Sequence, residues 1–195
     1  MQSKTLLLLG ALLTLTSFTP PLRVLFVGDS LTCYRGGWQH GVATALGNSY
    51  SNISQGGKRL EWMKLQLDGH LRQDSLYSTV YIYGGCNDAF SSVSLDLSVK
   101  WTQMMVDTCV SRGIKPVVIL GYDPERVMLQ SPYDAVTTRR ARERYKQLQS
   151  MMATSLRGCH IVPVDTTVSH KDTGDGIHLG ASGHRKFALW VLKHL

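Results

Sequence analysis

Four short segments bring together residue types that could carry out acyl transfer. Near the start of the chain, Gly28-Asp29-Ser30-Leu31-Thr32 sets a serine on a tight turn. A hydroxyl is a weak nucleophile at neutral pH and needs a nearby base to take its proton. Histidine titrates close to neutrality and suits that task. Toward the other end, Asp175-Gly176-Ile177-His178 supplies a histidine with a carboxylate three residues before it. Such a carboxylate can fix the imidazole tautomer and stabilise the imidazolium. The remaining two segments, Asn52-Ile53-Ser54-Gln55-Gly56-Gly57 and Gly85-Cys86-Asn87-Asp88, offer donors for a tetrahedral oxyanion. That species needs fixed N–H groups, from backbone made accessible by glycine or from an Asn side chain.

Each segment alone also reads as ordinary structure. Gly-Asp-Ser is common turn chemistry, and Asp-x-x-His is common in surface loops. The elements that would position them change the weighing. Leu22 to Val27 reads as a buried strand ending at Gly28, Tyr50 to Ser54 as a weaker one, and Thr79 to Tyr83 as a third. Ile114 to Leu120 and His160 to Val164 read as the fourth and fifth. Helical patterns fall at Trp38 to Leu46, Lys58 to Leu71, Leu95 to Ser111, Thr137 to Leu156 and Ser182 to Leu195. Residues 122–136 and 165–180 read as loops. Strands alternating with helices predict one α/β domain, a doubly wound, flavodoxin-like, five-stranded parallel sheet with helices on both faces. Sites in such sheets form at the carboxyl ends of the strands. All four segments follow a strand, which turn statistics do not explain. The other histidines, at positions 40, 70, 160, 170, 184 and 194, lack comparable neighbours and read as structural or surface residues.

Taken together, the segments resemble the motif blocks of the SGNH, or GDSL, hydrolase family. The matching blocks are Gly28-Asp29-Ser30-Leu31, Asn52-x-Ser54-x-x-Gly57, Gly85-x-Asn87-Asp88 and Asp175-x-x-His178. The run from Asp175 through Leu179 to Gly183-His184 resembles the family's C-terminal signature. The resemblance spans residues 22–195. It implies a serine ester hydrolase in which Ser30 is the nucleophile, His178 the general base and Asp175 its orienting partner. The implied oxyanion hole is the Ser30 amide, the Gly57 amide and the Asn87 side chain, with Gly56 in place of Gly57 if the loop register differs by one. Asp29 and Asp88 are expected to brace loops. No metal and no organic cofactor is implied. The sequence departs from the family where Lys58 and Arg59 follow Gly57, placing positive charge beside the acyl pocket or the leaving group.

The substrate expected from this reading is a short acyl group, such as acetyl, on a glycan or similar large molecule. A domain within a chain of 195 residues, without a long insertion, has no lid, so the site should be open. Tyr34, Trp38, Trp62, Tyr122 and Tyr133 could stack on sugars, or else pack in the core and anchor loops. The alternatives are a lysophospholipase or thioesterase, and a catalytically idle binding or structural module on the same scaffold. A nucleotide-binding domain fails on motif, since no Gly-x-Gly-x-x-Gly follows the first strand. An α/β-hydrolase would carry a Gly-x-Ser-x-Gly elbow, which is absent.

Lys4 followed by an apolar run from Leu6 to Leu15 resembles a secretory signal peptide. The run is short for a membrane span, which takes about 20 residues. Residues 1–20 are therefore expected to be a signal peptide or a retained hydrophobic segment, with residues 21–195 the hydrolase domain. The first case implies a secreted or periplasmic protein. The second implies anchoring, through membrane or partner-protein contact of residues 5–18. The net charge of +7 favours anionic surroundings. No nucleic-acid-binding signature accompanies it, so no nucleic-acid partner is expected. The densest basic run, Arg139, Arg140, Arg142, Arg144 and Lys146, reads as a solvated helix face. Cys33, Cys86, Cys109 and Cys159 match no metal spacing. If strands one and three are neighbours, Cys33 and Cys86 could form a disulfide.

Overall fold

The computed structural model describes residues 22–74 and 76–195. The expected N-terminal segment, including residues 5–18, lies outside them. Five strands form one sheet: β1 (Arg23–Gly28), β2 (Ser49–Asn52), β3 (Thr79–Tyr83), β4 (Lys115–Ile119) and β5 (His160–Val162). Their order is β2-β1-β3-β4-β5 and every pairing is parallel. The helices are α1 (Trp38–Ala45), α2 (Leu60–Gln73), α3 (Cys86–Phe90), α4 (Leu95–Val110), α5 (Pro124–Val127), α6 (Ala135–Ser155) and α7 (Ala181–Lys193).

Strand residues alternate between two cores because successive side chains point to opposite faces. Val24, Phe26, Tyr81, Tyr83, Val117 and Ile119 join Trp38 and Val42 of α1 and Phe187 and Val191 of α7. Leu25, Val27, Val80, Ile82 and Val118 join Leu60, Met63 and Leu67 of α2 and Met105 and Val106 of α4. Helix α6 contributes Tyr145 to the first core and Leu148 and Met152 to the second. Burial on both faces is why β1 and β4 read as unbroken apolar runs. Strand β2, with the half-polar sequence SYSN, is largely exposed and lies at the edge.

The two short helices α3 and α5 were not expected from the sequence. Each is too short to show a helical period, and α5 lies in the segment read as loop. Its local chemistry is nevertheless that of a helix start: Asp123 accepts the Glu125 N–H at 2.9 Å and Pro124 occupies the first turn. Helix α6 begins at Ala135, two residues before the expected start, because Asp134 accepts the Val136 and Thr137 N–H groups at 2.9 Å each. The basic run on α6 is partly tied up in packing. Arg144 donates to the carbonyls of Ala89 and Val93, and Arg142 and Lys146 pair with Glu125.

Strands β1 and β3 are neighbours, yet all four cysteines are free, so the expected Cys33–Cys86 disulfide is not formed. Cys33 is exposed and points its Sγ at the Ser30 carbonyl, 3.7 Å away. Cys86 is buried in the core, and burial pushes its thiol far above the ordinary range. No helix among the described residues is long and apolar enough to cross a membrane.

Candidate active site

The nucleophile turn follows from how tightly β1 meets its neighbour. A Cβ at Gly28 would lie 2.5 Å from the Tyr83 carbonyl and 2.5 Å from Thr32 Oγ1, so only glycine fits. The Thr32 hydroxyl donates to that same carbonyl. The Asp29 carbonyl then accepts the N–H groups of Thr32 and Cys33, and its side chain accepts the Leu31 N–H at 2.9 Å. These hydrogen bonds hold the turn that carries Ser30.

The histidine comes from the loop between β5 and α7. One carboxylate both shapes that loop and holds the ring. Asp175 Oδ1 accepts the N–H groups of Ile177 (3.0 Å) and His178 (2.7 Å), while Oδ2 lies 2.7 Å from His178 Nδ1. Burial alone would raise the Asp175 carboxyl, but the hydrogen bonds from His178 and Ile177 hold it below the usual carboxylate range. The ionised oxygen at Nδ1 fixes the ring proton there. His178 Nε2 then offers its lone pair to Ser30 Oγ, 2.9 Å away across 148 positions of sequence.

The loop is fastened from both sides. Tyr122 Oη, fully buried, donates to the Ile177 carbonyl at 3.0 Å. The Gly180 N–H donates to the Asp172 carbonyl at 2.8 Å, and the Asp172 carboxylate takes Lys186 Nζ at 2.8 Å and the hydroxyls of Ser169 and Ser182 at 3.0 Å. Burial acts to raise Asp172, and these partners outweigh it, leaving its carboxyl at about 2. The sequence carries no signal for Asp172, and for Tyr122 it leaves sugar stacking, core packing and loop anchoring open. Tyr122 is a core residue that anchors a loop and offers no surface for sugar stacking; Trp38, at 1% exposure, is also in the core. Tyr34 and Tyr133 are exposed, at 63% and 56%.

The two donor segments flank Ser30. A Cβ at Gly56 would lie 3.7 Å from Ser30 Cβ, and Gly57 adopts φ +73°, which a side chain would strain. The N–H groups of Ser30 and Gly57 have no acceptor among the described residues. Asn87 sits in the first turn of α3 rather than on a free loop. Its Nδ2 donates to the Lys58 carbonyl (3.0 Å) and to Asp29 Oδ2 (3.3 Å). It thus ties the nucleophile turn to the Gly56-Gly57 loop. Asp29 and Asp88 are buried braces, as expected. Asp88 accepts the Leu60 N–H and the Ser98 hydroxyl. Burial, seconded by the charge of Asp88, pushes the Asp29 carboxyl up to about 7 against its hydrogen bond from Leu31. The remaining histidines are structural or surface residues: His184 accepts the Trp38 N–H at 3.2 Å, and His40 is exposed.

A parallel α/β sheet that carries a serine–histidine–aspartate chain of contacts at its strand ends has the form of a hydrolase. The chain belongs to the GDSL-like lipase/acylhydrolase family, whose pattern matches residues 26–186, and is by class a carboxylic ester hydrolase. No curated protein matches it in sequence. Among solved structures it is similar to a catalytic mutant of Axe2, an acetylxylan esterase from Geobacillus stearothermophilus. That pair has 17% identity and a TM-score of 0.67, covering 89% of this chain and 93% of the other. It is also similar to TesA (20% identity, TM-score 0.61, 89% and 97% covered). A GDSL-like lipase from Bacteroides thetaiotaomicron is a third, with 17% identity, TM-score 0.63, and 88% and 86% covered. At these identities the likeness is one of fold.

Proposed function

We propose that the protein hydrolyses esters through a Ser30-bound acyl intermediate and that its substrates carry short acyl groups on large molecules such as glycans. The observation that carries the reading is the continuous path from Ser30 Oγ to His178 Nε2 (2.9 Å) and from His178 Nδ1 to Asp175 (2.7 Å). His178 takes the Ser30 proton as Oγ attacks the ester carbonyl carbon. The carbonyl π electrons move to oxygen, and the resulting oxyanion is met by the Ser30 and Gly57 N–H groups and by Asn87 Nδ2. One Asn87 proton now rests on Asp29 at 3.3 Å, a long contact that a full oxyanion charge can outcompete. The tetrahedral species collapses, the C–O bond breaks, and the alcohol leaves with the proton held by His178. Water, deprotonated by the same ring, then attacks the acyl-Ser30 carbonyl and releases the acid.

The openness of the site supports a large substrate with a short acyl group. The side chains of His178 and Asp175 are 49% and 35% exposed, and Gly56 and Gly57 are exposed. Exposed Tyr34 and Tyr133 offer flat aromatic faces. The fold likeness to an acetylxylan esterase points the same way. A substrate panel tests the proposal: p-nitrophenyl esters of rising chain length, acetylated glycans and a lysophospholipid. Turnover is expected to fall beyond the shortest acyl groups, because each added CH₂ gains about 0.8 kcal/mol only where a tunnel buries it. A chain-length optimum at long acyl groups refutes the short-acyl assignment. A folded protein that no fluorophosphonate labels, and whose Ser30→Ala variant behaves identically, refutes hydrolysis at Ser30.

A further inference from the structure

A sizeable groove lies outside the Ser30–His178–Asp175 contacts. It runs between α1 and α7, has a volume of about 630 Å³, and is lined by none of those three residues. That size lies within the range of small-molecule sites, about 300–1,000 Å³. Small residues open it: a Cβ at Gly41 would sit 3.2 Å from the Ala188 Cβ, so the two helices approach closely along this line. Both helices run away from the strand ends, since each follows a strand of a parallel sheet.

The two ends of the groove differ in chemistry. At the head, near the amino ends of both helices, stand Arg35 and Arg185, both exposed and neither in a salt bridge among the described residues. No acidic side chain lines the groove. The Tyr34 ring stacks on the His184 ring there, with centroids 5.2 Å apart, and forms a flat aromatic wall. Toward the carboxyl ends the lining becomes Ala45, Leu189 and Leu192, with Leu189 67% exposed. Helix α1 has eight residues and is about 12 Å long. The two guanidinium groups have no carboxylate partner among the described residues, and Arg is well shaped to grip a carboxylate.

We infer that the α1–α7 groove binds a medium-chain carboxylate, with its head on Arg35 and Arg185 and its tail against Leu189 and Leu192. The head-to-tail change from two cations to an apolar wall selects an anionic amphiphile over a free anion or a neutral chain.

Sodium decanoate, titrated calorimetrically into the full chain below its micelle-forming range, tests this directly. One saturable site per chain is expected, with acetate and decyltrimethylammonium bromide at least tenfold weaker. The Arg35→Ala/Arg185→Ala double variant and Leu189→Glu, all at exposed positions, should each weaken decanoate at least tenfold. Turnover of p-nitrophenyl acetate should stay unchanged in both. Protein whose Ser30 has been blocked by a fluorophosphonate should bind decanoate as before. No saturation, equal binding of the cationic amphiphile, or unchanged affinity in both variants overturns the inference. So does loss of binding on blocking Ser30, which would place the acid at the reactive serine. A dimer that Leu189→Glu dissociates and decanoate leaves intact would assign the groove to a second copy, and would overturn it too. If Ser30 resists labelling, the proposed hydrolysis fails while the decanoate titration remains readable.

Discussion

Replacing Asp175 by Asn separates the two tasks that its carboxylate performs. Oδ1 holds the turn through the Ile177 and His178 N–H groups, and Oδ2 faces the His178 ring. An Asn side chain keeps an oxygen for the first task and turns an NH₂ toward the ring. Nδ1 must then accept a hydrogen bond, so the ring proton moves to Nε2. The 2.9 Å contact with Ser30 Oγ survives with its polarity reversed, because Nε2–H now donates to the hydroxyl instead of taking its proton. The site keeps its shape and loses its base. Loss of the correct tautomer costs on the order of 10⁴ in kcat in serine hydrolases that use a triad, or about 5 kcal/mol of transition-state stabilisation. The expected result is therefore a drop in kcat/KM for p-nitrophenyl acetate of about 10⁴, with the drop in kcat rather than KM. Thermal stability should change by less than about 1 kcal/mol, since both backbone contacts remain. Asp175→Ala should lose the same activity and in addition about 1–3 kcal/mol of stability, as two N–H groups lose their acceptor. Activity of Asp175→Asn within tenfold of the parent, with Ser30→Ala inactive, would refute the tautomer argument.

Asp29 should make stability fall as pH rises. Its folded carboxyl sits at about 7 against an ordinary 3.8, chiefly because burial disfavours the charge. The folded chain thus holds the proton more tightly than the unfolded chain does. The contribution is complete below about pH 4 and disappears as pH passes 7, amounting to about 4 kcal/mol. Urea unfolding across that window should show a shallower pH dependence in Asp29→Asn than in the parent; equal slopes would contradict the buried-charge reading. Gly57→Ala meets no atoms within 4 Å of the new Cβ, so its cost is the strained φ of +73°, about 1–2 kcal/mol. Its Tm should drop modestly, and a rise would count against that backbone geometry. Asn87→Ala should lower kcat by about 10² to 10³ with little change in KM, measured by steady-state kinetics; an effect confined to KM would remove Asn87 from the oxyanion hole. Among the thiols, exposed Cys33 should react with Ellman's reagent in the folded protein, and buried Cys86 and Cys109 only after denaturation. Fewer than four thiols in denaturant, without prior reduction, would show a disulfide that the structure lacks.

Which features the sequence revealed depends on the range of the interaction. Strands such as Val24-Leu25-Phe26-Val27 are legible because burial on both faces demands an unbroken apolar run. Ser30, Asp175 and His178 were legible because their chemistry requires particular residue types, and the strand-end rule supplied a common location. Helix α3 was not, since five residues cannot display a period of 3.6. Asn87 stands out by its type, but its contacts with Lys58 and Asp29 are not legible, as they depend on where three loops converge. The disulfide expectation failed for a related reason. The condition of strand adjacency holds, while the direction of each thiol is set by packing: Cys86 turns into the core and Cys33 stays at the surface.

Tyr122 shows the same limit most sharply and explains how the site keeps its geometry. The sequence offers an aromatic residue just after a strand, which suits a substrate platform equally well. The fold instead buries it completely and aims its hydroxyl at the Ile177 carbonyl, one residue before His178. A buried hydroxyl without a partner costs about 1–3 kcal/mol, so the Tyr122–Ile177 bond resists breaking from both sides. The loop that carries the histidine is therefore locked to the core by the group least free to move, while the histidine itself remains half exposed. Rigid support beneath an open ring is what a site needs if it is to meet an ester on a large substrate without a closing lid. On that reasoning Tyr122→Phe, which removes one oxygen and keeps the ring, should lower kcat more than it raises KM. It should also increase hydrogen exchange across residues 173–179. A variant with parental exchange and lowered activity would break the link between the anchor and the histidine.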